Sequence, residues 1–161
     1  MIAGAADAPK TSFYLLESTL QTADGRNLPA SVSLVKRTTD PARGRIDESV
    51  ISIRAGAPAQ EFLTVLKPDG RKAKISCENC DIEGEAELLG EAWAWTGVKF
   101  TTRIPKLHQQ VEGEDRFTSD GMSAEKRILG ADGRPTLVIK ESGRVISQAT
   151  YDLLRDRILT K

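Results

Sequence analysis

The chain has 161 residues, with 23 basic and 23 acidic side chains and a formal net charge of zero. That length is enough for one domain with an adequate core, without structural metals or a set of disulfides. The charge balance leaves no electrostatic footprint for nucleic acid, and 39% hydrophobic residues without a long apolar run exclude a transmembrane helix.

Residues 1–11, small and polar apart from Ile2, are expected to be a flexible tail ahead of a single domain over 12–161. They hold neither a basic start nor an apolar run of about 7–15 residues, so a cytoplasmic location is expected. Export with a leader removed is the alternative.

Strands are predicted over residues 12–22, 30–36, 45–54 and 61–67, each rich in aliphatic or aromatic residues. Asp24-Gly25, the segment from Asp40-Pro41 to Gly44, a break at Gly56 and Pro58, and Pro68-Asp69-Gly70 separate them. A cysteine-bearing hairpin comes next, followed by strands over 93–104, 107–117, 122–129 and 136–140. Trp93 and Trp95 are odd-numbered whereas Val98, Phe100 and Ile104 are even, so a β-bulge is expected at Gly97. Asp120-Gly121, Asp132-Gly133 and Ser142-Gly143 read as turns, because glycine supplies the positive φ that tight hairpins need. Ser147 is the expected N-cap of a helix over 147–159, with Ile146, Ala149, Tyr151, Leu153, Leu154 and Ile158 along its apolar side.

The stretch Ile75–Ile104 holds both cysteines and both tryptophans. From Asp81 to Leu88 the acids Asp81, Glu83, Glu85 and Glu87 alternate with Ile82, Gly84, Ala86 and Leu88, the period of a strand. Lys72 and Lys74 alternate with Ala73 and Ile75 just before it. A two-residue turn at Glu78–Asn79 sets Cys77 against Cys80, Ile75 against Ile82, Lys74 against Glu83 and Lys72 against Glu85. Charge and apolar pattern agree on that register.

Short strands joined by hairpin turns, with one terminal helix, imply a mainly β fold. The expected architecture is an antiparallel up-and-down β-barrel of about 8–10 strands, with a two-sheet sandwich as the alternative. This strand count and terminal helix resemble the calycin group, the lipocalin-like and fatty-acid-binding-like barrels, over residues 12–159. The first strand carries Phe13 and Tyr14 and lacks the lipocalin Gly-x-Trp signature, so the resemblance is one of architecture and brings no binding residue with it.

Cys77-Glu-Asn-Cys80 lacks the partners of a zinc site, since zinc takes four ligands and the chain has one histidine and no second pair of cysteines. A hairpin turn with a possible Cys77–Cys80 disulfide explains it better. His108 has polar neighbours and no nucleophile or acid in a catalytic pattern. The acidic row is too widely spaced to gather around one calcium ion and is better explained by its lysine neighbours. No catalytic residue, metal or cofactor is therefore assigned, and an enzyme ranks third among the readings. The first is a binding module that takes an apolar or amphipathic small molecule into the barrel, with Trp93, Trp95, Phe100, Phe117 and Met122 as pocket walls. The second is an interaction domain with a filled core, forming a homodimer through a strand edge.

Overall fold

Period-two alternation runs through most of this chain, and strands built that way bury one face each. In the computed structural model, which describes residues 8–91 and 93–160, they do so by closing into a ten-stranded antiparallel barrel. The strands are β1 (Lys10–Thr22), β2 (Asn27–Asp40), β3 (Arg45–Arg54), β4 (Gln60–Asp69) and β5 (Lys72–Cys77). They continue as β6 (Glu83–Glu91), β7 (Ala94–Ile104), β8 (Gln109–Phe117), β9 (Gly121–Leu129) and β10 (Pro135–Ile146), followed by helix α1 (Gln148–Leu159). Each strand pairs with its neighbours in sequence, and β1 pairs with β10 to close the ring. The sandwich alternative is thereby excluded. Closure also pairs every strand on both sides, which removes the edge through which a homodimer was expected to form. Of the expected tail, residues 1–7 lie outside the described residues, while Lys10 and Thr11 already belong to β1. No helix among the described residues is long and apolar enough to cross a membrane.

Two of the expected turns are corrected. Ser142-Gly143 is no turn: β10 runs through it to Ile146, and Gly143 lies between Leu16 of β1 and Met122 of β9. A Cβ on Gly143 would collide with the Leu15 carbonyl oxygen, so this glycine serves close approach of strands where the sheet curls shut.

The second correction concerns the cysteine hairpin, which slips by two residues. Lys74 faces Glu85, Lys72 faces Glu87 and Ile75 faces Gly84. A longer loop over residues 78–82 replaces the two-residue turn, because neighbouring elements hold it. The Asn79 side chain accepts from Leu63 N at 3.0 Å and donates to Glu61 O at 2.8 Å. Glu78 accepts from Arg45 at 3.2 Å, and Asp81 accepts from Lys106 N at 3.2 Å. A disulfide joins Cys77, the last residue of β5, to Cys80 in that loop, with Cα atoms 5.3 Å apart. A slip of two keeps every side chain on its face. The outward acids therefore still meet cations: Glu87 lies between Lys72 and Lys99, and Glu83 faces Arg103. The expected bulge is present beside Gly97, where the β6–β7 register shifts between Leu89 and Gly90.

The inward face of β1 and β2 carries Tyr14, Leu16, Leu20 and Val35, all buried. On the outer face, Phe13, Leu34, Ile51 and Ile146 are also buried, because α1 lies over them. Ser147 caps the helix by accepting from Thr150 N. Tyr151, Leu154 and Ile158, spaced by three and four residues, make the contact, and the Tyr151 ring stands 4.9 Å from Phe13. Leu153 was expected in that stripe and is 53% exposed instead, since its position points the side chain away from the barrel. Tyr151→Ala should therefore cost about 3–5 kcal/mol of stability, whereas Leu153→Ala should stay within about 0.5 kcal/mol. Urea denaturation monitored by tryptophan fluorescence checks both.

Candidate functional site

Inside the barrel the strands alternate as they do elsewhere, but not every inward position is apolar. β3 presents Glu48 between Ile46 and Val50, and β2 presents Arg37 two residues after Val35. Asp115 follows Gly113 and precedes Phe117 on β8, Lys126 lies between Ala124 and Ile128 on β9, and Glu141 follows Ile139 on β10. The registers put each of these charges on the inward face of its strand: Arg37 opposite Glu48, Asp115 opposite Val98 and Ala124, and Lys126 opposite Gly113.

The charges are partly paired. Arg37 donates to Glu48 at 3.0 Å, and its guanidinium carbon lies 4.0 Å from the centroid of the Phe117 ring. Lys126 bonds Glu141 at 2.7 Å. Asp115 Oδ1 is buried and has no hydrogen-bond partner among the described residues. Arg37 and Lys126 supply two positive charges against three negative ones from Glu48, Asp115 and Glu141, so the enclosed set carries an excess negative charge when Asp115 is ionised.

Three of these charges, Glu48, Asp115 and Lys126, border a cavity of about 210 Å³. Phe62, Leu66, Ile75, Val98, Phe100 and Val111 are among its apolar walls, and Glu48, Asp115 and Lys126 are its charged ones. Lys126 keeps 29% of its side chain accessible, and because it lines the cavity that surface faces the barrel interior. Gly113 makes room here: a Cβ on it would press on Phe100 Cζ at 3.0 Å and on the Glu125 carbonyl oxygen.

Of the residues selected from sequence, Phe100 lines the cavity. Trp93, Trp95 and Phe117 pack with Phe100 around the cluster of Ile46, Leu66, Leu88 and Val98. The two indole rings are 5.1 Å apart, and Trp93 holds them together from a left-handed backbone conformation at φ 62°. Met122 is buried with Tyr14, Leu16 and Val35. Trp93, Trp95, Phe117 and Met122 thus lie at or beside the β6–β7 and β8–β9 turns and do not line the cavity. The cavity extends towards Ile82, Ile104 and Val111, near the loops 78–82 and 105–108. His108 is exposed at the end of a short 3-10 turn, Pro105–Leu107. Among the described residues, no group of acids, cysteines and histidine has the arrangement of a metal site.

The five charges were not singled out from sequence, although a signal existed. Each occupies the parity that its own strand otherwise fills with apolar or small residues, as in Ile46-x-Glu48-x-Val50 and Ala124-x-Lys126-x-Ile128. Compared with known proteins, the chain matches no protein family, and no curated protein is significantly similar to it in sequence.

Enclosure shifts the protonation of Asp115 and Lys126. Burial raises the Asp115 carboxyl from 3.8 to about 7; the Lys126 ammonium opposes the rise, Glu48 adds to it, Arg37 opposes it and Glu141 adds to it. Burial works against the charge of Lys126, but Asp115 and Glu141 outweigh it, so Lys126 is held above its ordinary value and stays charged. The folded-state value of Asp115 exceeds its unfolded value. The native chain thus keeps a proton that the unfolded chain has lost, between about pH 4 and about pH 7. The stabilisation tied to that proton is complete below the unfolded pKa and lost as pH rises through the folded one. Asp115→Asn should therefore stabilise the protein around pH 8, by up to about 4 kcal/mol. The gain should shrink as pH falls towards 4. Denaturation midpoints of the two proteins across that range check it.

Proposed function

We propose that this protein is a small-molecule binding module of calycin-like architecture, which takes an apolar or amphipathic compound into its barrel. The observation that carries the reading is the cavity of about 210 Å³, walled by apolar side chains and floored by charged ones. An apolar cavity of about 150 Å³ suffices to bind benzene. Drug-sized ligands use about 300–1,000 Å³. The ligand therefore has one small ring or a short chain, and a long-chain lipid is too large. A few convergent polar groups against apolar walls are the usual composition of such sites.

The outer face supports a barrel that works in water. Lys72, Lys74, Glu83, Glu85, Glu87, Lys99 and Arg103 project outward on β5, β6 and β7, where a membrane barrel would present an apolar band.

Indole added to isotope-labelled protein should shift the NMR signals of Val98, Phe100 and Val111 in a saturable way. Val111→Phe, which fills the cavity, should abolish the effect while the protein stays folded. Failure of millimolar indole to shift those signals would favour the filled-core interaction domain.

A further inference from the structure

The proposed binding role leaves open what the ligand carries at its polar end, and the interior charges answer that. We infer that the cavity takes an amphipathic cation, a protonated amine on a benzene-sized apolar body, with its ammonium against Asp115 and the carboxylate of Glu48. The inference rests on the binding reading and specifies the ligand class of the same cavity.

Three observations lead there. The positive groups are already committed: Lys126 to Glu141 at 2.7 Å, and Arg37 to Glu48 at 3.0 Å with the Phe117 ring stacked at 4.0 Å. The Asp115 Oδ1 atom is buried without a partner among the described residues, in a side chain that lines the cavity. An unpaired buried acceptor is costly, and a donor that reaches it removes the cost. Finally, the enclosed acids outnumber the enclosed bases by one, so an entering cation neutralises the set. A carboxylate ligand would meet three carboxylates and would have to compete with Glu141 for Lys126. A neutral apolar ligand would leave Asp115 unpaired. Charge-assisted hydrogen bonds are about twice as strong as neutral ones, which favours an ammonium over a hydroxyl of the same shape.

The same geometry makes binding sensitive to pH. Asp115 faces Arg37 from β2, Glu48 from β3, Lys126 from β9 and Glu141 from β10. When Asp115 is protonated the interior set is already neutral, and an ammonium gains little. Its affinity should rise as Asp115 ionises, near pH 7, while that of a neutral isostere stays flat.

Calorimetric titration of the full chain with benzylamine, benzyl alcohol and benzoate tests this, at about pH 8 and about pH 5.5, either side of the Asp115 transition. At the higher pH benzylamine should bind about tenfold or more tighter than benzyl alcohol, and benzoate most weakly. The preference should shrink at the lower pH. Asp115→Asn should lower benzylamine to the level of benzyl alcohol, and a cooperative urea denaturation transition at about pH 8, with a midpoint no lower than that of the native chain, shows that the variant is folded. Alcohol or benzoate binding as tightly as the amine, or an amine preference that survives Asp115→Asn, overturns the inference and leaves the binding role standing. If indole and all three compounds fail to bind, the binding role falls and the inference with it.

Discussion

Five charges brought together inside a barrel, with little access to water, are neutralised mainly by one another. Arg37 with Glu48 and Lys126 with Glu141 form two close pairs, at 3.0 and 2.7 Å. Asp115 is left over. Burying such groups gains little stability in itself, because desolvation offsets much of the attraction. Apolar residues at these five positions would have left the interior without charge, with only hydroxyl groups such as those of Thr64 and Thr102 on the cavity wall. What the charges keep is a cavity with a charged floor, and the proposed role depends on that floor.

The barrel carries this arrangement because it is stabilised elsewhere. At the end near the β6–β7 turn, the two tryptophans, Phe117 and Leu88 pack the interior. On the outer face, α1 covers Phe13, Leu34, Ile51 and Ile146, so that residues at both parities of β1, β2 and β3 are buried. Closure by β10 satisfies the backbone of β1 on both sides. These features free the remaining interior from having to be fully packed.

Much of the fold was legible because its signals are local. Period-two alternation located the strands, Asp-Gly pairs marked four of the nine connections between them, and Ser147 marked the helix start. Where the reading slipped, non-local contacts decided. The cysteine hairpin obeys the right parity but not the right register: Lys74 opposite Glu83 and Lys74 opposite Glu85 are equally good to charge and face. Asn79 bonding to β4 chose between them, and no local pattern announces that bond. Gly143 looked like a turn because glycine after serine usually is one. Its role is to let β1 pass close by, which is a property of closure. The cavity was read from the aromatic residues, since large rings suggest ligand walls. Of those residues Phe100 borders it, while the charged members Glu48, Asp115 and Lys126 are not among the residues selected from sequence. A charge at apolar parity in the middle of a strand is the sequence sign of a polar interior, and it requires the strand's face to be known before it can be used.

The proposed role depends on Asp115 being enclosed and without a hydrogen-bonded counter-charge of its own. A carboxyl-carbon NMR titration of the ligand-free protein measures that directly. The expected midpoint is about 7. A midpoint near about 4, the ordinary value for an aspartate in water, would mean that the carboxylate is solvated or paired, and would contradict the charged cavity at the centre of this description.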